Sequence, residues 1–364
     1  MQTEIARSGH THPGDTAAVE AEKAKRDMKT AAKGGRTCPQ QIVADALASQ
    51  PVEVAAAVGR MDSLKRTLRY HKRGTKPTEP STLEDLAISG EWTTTGGSRP
   101  ETFLIHDSGP DSTDRVVVYA TDDALRHLTQ SSEWFMDGTF TTAPKLFEQL
   151  YVIRAPLAET SITCVYAFLS GKSQAVYEEL FRAINDKCRT LGLDVEPVNV
   201  TIDFEQSVFK AIANVYGQNV NVKGCFYHLT QSTWRKVQQL GLTAEYKSDE
   251  KVRHFCGMMD GLAFLPLDDV EDGMAYLKAE VVGLPFLLPL LTYFDSTYVS
   301  GPCRSVQNAS ANRPTTRSVL SLRLRRQPPL FPPKIWNVHE TTVNSQARTN
   351  NICEAWNNGY TAAL

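Results

Sequence analysis

The sequence predicts a mixed α/β fold. Between residues 115 and 242, short β-rich runs alternate with amphipathic stretches of helical spacing. Pro and Gly residues punctuate the joins between these runs, as is typical of turns. The chain has 364 residues with a hydrophobic content of 41%, which is normal for one large globular domain or two ordinary ones. We therefore expect a mixed sheet covered by helices.

The individual elements follow from the pattern in chain order. A strand is expected at RVVVYAT (115–121), and a helix at DDALRHLTQ, which carries acidic residues in its first turn. Strands are next expected at EWFMDGTF, LYVIRAP and SITCVYAFLS, whose short connections are typical of an antiparallel meander. A helix, a strand, a helix, a strand and a helix then follow in the segments 173–192, 198–203, 204–217, 220–228 and 229–241. From the meander onward the expected order is βββαβαβα.

The flanking regions are expected to be helical or irregular. Residues 16–34 are rich in Ala, Glu and Lys and suit either a weakly packed exposed helix or a linker. Residues 39–58 have the apolar spacing of a small helical module. Beyond residue 250 the chain is expected to be mainly helical, with a flexible loop at 301–333, where Ser, Arg, Asn and Pro are abundant. Residues 349–364 are expected to begin a further helix.

Composition narrows the possible classes of protein. Lys and Arg number 39 against 41 Asp and Glu, and the net charge of −2 does not indicate a polyanion partner through bulk electrostatics. No run approaches the roughly 18 apolar residues of a membrane span, and the N-terminus lacks the apolar core of a signal peptide. The seven scattered cysteines are not typical of a disulfide framework. We expect a soluble, intracellular protein without membrane contact, with mostly reduced cysteines.

A local basic stretch is the candidate for contact with nucleic acid. Its cationic or potentially cationic side chains are Lys65, Arg66, Arg69, His71, Lys72, Arg73 and Lys76. Two interpretations stay open, a solvated helix end that runs into a linker and a patch that contacts DNA phosphates. The candidate DNA-binding residues are Lys65, Arg66, Arg69, Lys72 and Arg73.

Two carboxylates end apolar strands. Asp137 is followed at once by Gly138, and Asp203 ends the run VNVTID. If the two strands are neighbours, their carboxylates meet at one edge of the sheet, and such oxygen ligands suit Mg²⁺. For either Asp taken alone, an ordinary turn or cap residue is the alternative. A third carboxylate would complete a clamp for two metal ions, the arrangement that phosphoryl transfer between nucleic-acid strands uses.

Four blocks in order carry a resemblance to a known family. They span residues 134–153, 198–212, 223–242 and 348–360. Together they resemble the transposase domain of Mutator-like elements, the MULE family, over roughly residues 115–360. The resemblance implies a ribonuclease-H-like fold with a helical insertion before the last catalytic residue.

The same resemblance implies the site and its chemistry. Asp137 matches the first catalytic Asp, Asp203 the second, and Glu354, in the block NNICEAWN, the final Glu. The implied activity is DNA strand cleavage and strand transfer with two Mg²⁺ or Mn²⁺ ions held by these carboxylates. The implied partner is transposon-end DNA, with a homo-oligomer as the active form and a nuclear location.

The family also carries a Cys-x-x-His signature, matched here by Cys225 and His228. We expect these two residues to support the active site. From chemistry alone, the pair could join His254 and Cys256 in a four-coordinate zinc site. The family signature does not require that second pair, so structural zinc is not expected.

The N-terminal region is similar to another family. Residues 9–29 resemble the tail of a FLYWCH-type zinc finger, in which His10 and His12 match the last two zinc ligands. No Cys pair precedes them, and two histidines cannot close a four-coordinate site. Recognition of DNA by a complete finger is therefore not expected from these residues.

These patterns predict five segments: a finger remnant with a linker helix (1–30), a small helical basic region (31–85), the transposase core (110–250), a helical insertion with a flexible loop (251–340) and the start of a catalytic C-terminal helix (341–364). Residues 304–324 depart from the usual path of the family.

Two functions remain open at this stage. One is an active transposase of the Asp-Asp-Glu (DDE) type, and the other is a degenerate or domesticated DNA- or protein-binding derivative without catalytic activity.

Overall fold

A computed structural model describes residues 15–34, 37–73, 79–96, 99–158, 160–306 and 323–344. The chain divides into two compact units, one that ends at Phe103 and one that begins at Leu104. Within the described ranges, no helix combines the length and the apolar character needed to cross a membrane.

The first unit contains a cluster of four helices. They are α1 (Thr16–Gly34), α2 (Pro39–Leu47), α3 (Val52–Ala57) and α4 (Met61–Arg73). Residues 16–34, expected to be weakly packed, instead bury a stripe that includes Ala21, Met28 and Ala32. This stripe packs with Val43 and Leu68. Its small Ala side chains let the neighbouring helices approach closely, and those helices supply the larger apolar side chains.

The second unit is built on a mixed sheet of seven strands. The strands are β1 (Leu104–Asp107), β2 (Val116–Tyr119), β3 (Glu133–Thr139), β4 (Gln149–Leu157), β5 (Thr160–Leu169), β6 (Asn199–Ile202) and β7 (Asn221–Gly224). Their order in the sheet is β1-β2-β5-β4-β3-β6-β7. The neighbouring pairs β1–β2, β2–β5, β5–β4 and β4–β3 are antiparallel. The pairs β3–β6 and β6–β7 are parallel. The expected mixed α/β class is confirmed.

Three helices pack with this sheet in one apolar core, namely α5 (Asp122–Gln130), α6 (Gln174–Thr190) and α7 (Gln206–Val215). The first two have side-chain caps, since Thr121 accepts from the backbone N–H of Ala124 and Ser173 from that of Val176. Strand β4 is buried continuously from Gln149 to Ala155, as expected for a central strand covered on both faces.

A second apolar cluster follows the sheet along the chain. Its helices are α8 (Phe226–Gln239), α9 (Thr243–Ser248), α10 (Glu250–Gly261), α11 (Val270–Glu280) and α12 (Leu288–Phe294), and a π-helical turn at Asp295–Val299 follows. Elements β3 to α8 thus occur in the order expected from periodicity, and the segment after residue 250 is mainly helical.

The described parts of the segment 301–333, which was expected to be a flexible loop, contain two paired strands. Strands β8 (Cys303–Val306) and β9 (Arg323–Arg326) pair antiparallel, while residues 307–322 lie outside the described residues. Helices α13 (Pro333–Trp336) and α14 (His339–Val343) follow. Trp336 is fully buried, and its indole N–H donates to the carbonyls of Tyr298 and Phe331. A few large aromatic side chains therefore anchor a segment whose average composition is polar.

Candidate metal centre

Asp137 and Asp203 meet because their strands are parallel neighbours in matching register. Phe135 of β3 pairs with Thr201 of β6, and each aspartate lies two residues further along its strand direction. Since side chains two residues apart share one face of a sheet, the two carboxylates lie at the same edge. Asp137 is buried, with 4% of its surface exposed, whereas the Asp203 side chain is 35% exposed.

His228 joins these carboxylates from the next element along the edge. Strand β7 lies beside β6, and the backbone N–H of Cys225, the N-cap residue of α8, donates to the carbonyl of Ile202. This places His228 in the first turn of α8, with Nδ1 3.2 Å from Oδ1 of Asp203. One potential ligand atom from each of Asp137, Asp203 and His228 lies within 4.8 Å of the others.

The chemistry of this donor set fits a divalent cation. Two carboxylates supply the hard oxygen ligands that Mg²⁺ and Mn²⁺ prefer, and imidazole is a ligand for transition metals. Without a cation, two ionised carboxylates this close repel each other. The set is therefore suited to a divalent metal, while the ligand types alone do not select one ion.

Phe204, the residue after Asp203, anchors the loop that carries this carboxylate. Its ring lies 5.5 Å from that of Tyr298 and 5.1 Å from that of Phe331, both in edge-to-face contact. The ring also lies against Gly224, where an added Cβ would come within 2.6 Å of it. A glycine at this position thus lets the aromatic ring hold the Asp203 loop on the second apolar cluster.

A buried hydrogen-bonded network lies near the site and was not predicted. Gln149 donates to the hydroxyl of Tyr177 (2.7 Å), which in turn donates to Oε1 of Glu205 (2.9 Å). Burial raises the pKa of Glu205 and that of Tyr177. The Gln149 side chain fits closely over Gly138, which follows Asp137. The sequence offered one local signal for this network, the position of Glu205 two residues after Asp203.

The other predicted metal-associated residues have different surroundings. Cys225 is completely buried and is not a member of the group formed by Asp137, Asp203 and His228. His254 is exposed on α10 and Cys256 is buried on it, because residues two apart on a helix point about 200° apart. Burial raises the pKa of the Cys256 thiol to about 11, which disfavours the thiolate that zinc binding needs.

Two groups of predicted residues lie outside the description of the structure. Glu354 is in the segment 345–364, and His10 and His12 are in the segment 1–14; neither segment belongs to the described residues. The role of Glu354 as the third carboxylate and the similarity to a finger remain predictions.

Residues 65–73 of the basic stretch lie on helix α4 of the first unit, and Lys76 lies outside the described residues. Arg66 and Arg69 are exposed, and Lys65 is partly buried. Lys72 donates from Nζ to the carbonyl of Thr37 at 2.8 Å, so it contributes to the packing of its own unit. Arg73 ends the helix. Among the candidates whose side-chain exposure the structure describes, Arg66 and Arg69 are therefore the best exposed for contact with a polyanion.

Fold and site together define a mixed α/β protein with a metal-capable acidic group at the carboxyl edge of three parallel strands. Residues 133–232, from β3 into α8, match the model of the MULE transposase domain family. Asp137, Asp203 and His228 all lie within the matched segment. Comparisons with curated proteins and with solved structures found no match. The family match indicates a transposase-related function.

Proposed function

We propose that the second unit is the catalytic core of a DDE-type DNA transposase, in which Asp137, Asp203 and Glu354 bind two Mg²⁺ or Mn²⁺ ions for DNA strand cleavage and strand transfer. The observation that carries this proposal is the convergence of Asp137, Asp203 and His228 inside the segment that matches the MULE family. Transposon-end DNA as substrate, a homo-oligomeric active form and a nuclear location belong to the same proposal.

The topology supports a ribonuclease-H-like assignment for this core. Strands β3, β4 and β5 form an antiparallel meander, and β3 also pairs in parallel with β6, which pairs in parallel with β7. Helices α6 and α7 connect these strands, so the chain follows the βββαβαβα order. The carboxyl-terminal part of β3 therefore lies at the same edge of the sheet as the ends of β6 and β7, where the acidic group lies.

The proposed chemistry divides between the ions and the protein. Two divalent ions would activate the attacking water or 3′-hydroxyl and stabilise the leaving oxygen. Asp137 is held in the sheet and fixes one side of the site, while Asp203, the more exposed carboxylate, faces the approach of a DNA phosphate. His228, at 3.2 Å from Asp203, either orients this carboxylate or supplies a nitrogen ligand.

The path of the chain supports including Glu354 in the site. The side chain of Gln206 donates to the carbonyl of Leu330, and Phe331 contacts Phe204, so residues 330–331 pass beside the Asp203 loop. Asn344, the last described residue, precedes Glu354 by ten positions. The proposal requires the ten residues after Asn344, which span up to roughly 33 Å when extended, to bring Glu354 to the acidic group.

A cleavage assay tests this function. The full chain is incubated with DNA that carries the terminal repeats of its own element, in Mg²⁺, in Mn²⁺ and in EDTA. We expect nicking in the presence of either metal and none in EDTA. Asp137→Asn should abolish the nicking, whereas Asp194→Asn, an equal charge change at an exposed position, should not. A folded chain that binds this DNA but never cleaves it would instead be the non-catalytic derivative.

A further inference from the structure

A cavity of about 410 Å³ lies in the second apolar cluster beyond the metal centre. Tyr227, Thr230, Gln231 and Trp234 line it from α8 with the spacing of one helix face, over roughly 10 Å. Tyr246 of α9 and Asp260 of α10 contribute to the other walls. The cavity begins next to the metal centre, because Tyr227 precedes His228 and their ring centroids are 5.7 Å apart.

The carboxylate of Asp260, in the wall of the cavity, has no role in the proposed cleavage reaction. Oδ1 of Asp260 is buried and accepts no hydrogen bond from any described residue. Burial raises the pKa of Asp260 to about 6, and the polar Thr233 side chain nearby offsets part of this rise. The group is therefore mostly ionised at neutral pH in surroundings that disfavour its charge. Such a group in a cleft is a candidate for ligand binding.

We propose that this cavity binds an unpaired nucleobase of a DNA strand at the metal centre, with Trp234 against the face of the base and Asp260 and Gln231 at its edge. This inference rests on the proposed function for the presence of DNA. Every base has a flat face that stacks on an aromatic side chain. Because χ2 of an aspartate is a broad torsion, a small rotation can turn either carboxylate oxygen toward the ligand.

The edge chemistry predicts which base is preferred. An ionised carboxylate only accepts hydrogen bonds, and the exocyclic amino group of cytosine donates to it. Thymine presents carbonyl oxygens and one imino N–H instead, so it meets the carboxylate less favourably. We therefore expect cytosine to bind in preference to thymine.

A methylated ammonium group is a less suitable occupant. An aromatic cage surrounds such a cation with ring faces on separate walls. Here Trp234 and Tyr246 pack against each other, with centroids 4.9 Å apart and planes tilted by 59°. A quaternary ammonium also has no N–H group to pair with Gln231 or Asp260.

The test compares two short single-stranded oligonucleotides, oligo(dC) and oligo(dT), by fluorescence anisotropy with the full chain in EDTA. We expect oligo(dC) to bind about tenfold more tightly, in line with one base-specific contact. Asp260→Asn should remove most of that preference. Asp268→Asn, an equal charge change at an exposed position of the same unit, should leave it intact and so controls for general repulsion of DNA.

The stacking contact is tested by two further variants. Trp234→Ala should weaken binding of both oligonucleotides by about tenfold. Trp234→Phe, which keeps a ring in the wall, should have a smaller effect, and it replaces the alanine variant if that variant does not fold. Thermal unfolding of each variant separates loss of binding from loss of structure.

The possible outcomes separate this inference from the proposed function. Equal binding of oligo(dC) and oligo(dT), no binding of either, or equal effects of Asp260→Asn and Asp268→Asn would overturn it. So would a trimethyl-lysine peptide that requires Trp234 and Asp260 while the oligonucleotides do not. The binding assay needs neither metal nor cleavage. Selective binding of oligo(dC) by a protein that does not cleave DNA would therefore support base binding in the cavity and contradict the proposed transposase activity. DNA cleavage by a protein that binds the two oligonucleotides equally would support the transposase activity and contradict base binding in the cavity.

Discussion

Nδ1 of His228 lies 3.2 Å from Oδ1 of Asp203, at the point where the loop after β6 meets the first turn of α8. At this distance both atoms can approach one cation together. His228 is therefore expected to be a determinant of metal binding, as a ligand or as a group that holds the Asp203 carboxylate in place.

Replacing His228 should therefore affect the metal more than the fold. We expect His228→Ala to weaken Mn²⁺ binding by at least about tenfold, measured by calorimetry, with a small change in thermal midpoint. His254→Ala, on the exposed face of α10, and Cys225→Ser should leave the bound metal unchanged. If His228→Ala lowered stability but not Mn²⁺ affinity, His228 would be an ordinary residue of the helix start.

Asp203→Asn should reduce DNA cleavage to the level observed in EDTA. The substitution removes the charge of a metal ligand at nearly constant volume, and the side chain is partly exposed, so the fold should persist. Nicking rates and circular dichroism of the same preparation provide the measurement. Unchanged cleavage would exclude Asp203 as a ligand.

Gly224→Ala should disturb the metal centre through Phe204. The added Cβ would come within 2.6 Å of the Phe204 ring, which anchors the loop carrying Asp203. We expect a loss of about 1–3 kcal/mol in the free energy of unfolding together with weaker Mn²⁺ binding. Gly257→Ala is the matched control, because an added Cβ meets nothing there and α10 should gain helix propensity. Equal behaviour of the two variants would contradict a role for Phe204 in holding the Asp203 loop.

Neutralising Arg66 and Arg69 together should weaken DNA binding by a similar factor for all sequences. For each phosphate that the variant no longer neutralises, the slope of log affinity against log salt should decrease by about one. Lys72→Ala should change this slope less, since Lys72 donates to the carbonyl of Thr37. An unchanged affinity and slope in the Arg66 and Arg69 variant would show that the basic stretch is only a solvated surface.

Asp260→Asn should stabilise the protein at neutral pH. The pKa of Asp260 is raised from its ordinary value of 3.8 to about 6, so the folded state binds this proton more tightly than the unfolded state does. The contribution of this bound proton to the free energy of unfolding is fully present below about pH 4 and is lost as the pH rises through about 6.

The variant should therefore exceed the unaltered protein by up to about 3 kcal/mol near pH 7.5, in urea unfolding, with a smaller difference at pH 4. A difference that does not vary with pH would show that the carboxylate is not destabilised by its burial.

The sequence determined those features that depend on neighbours along the chain. Runs of apolar residues and their spacing specified the elements from β2 to α8, because helices and strands bury side chains with different periods. The same local pattern identified Asp203 as the residue that follows β6, whereas Asp137, expected at a strand end, lies within β3, two residues before its last residue, and is buried. The half-exposed edge strand β1, with the polar residues His106 and Asp107, offered no comparable pattern.

The tertiary structure decided which distant residues meet. The parallel register of β3, β6 and β7 aligns Asp137, Asp203 and His228, and no local pattern specifies that register. Likewise, the hydrogen-bonded network of Gln149, Tyr177 and Glu205 and the cavity around Asp260 combine side chains from separate elements. Hydrophobic periodicity reports which face of an element is buried, whereas packing between elements determines which side chains become neighbours on that face.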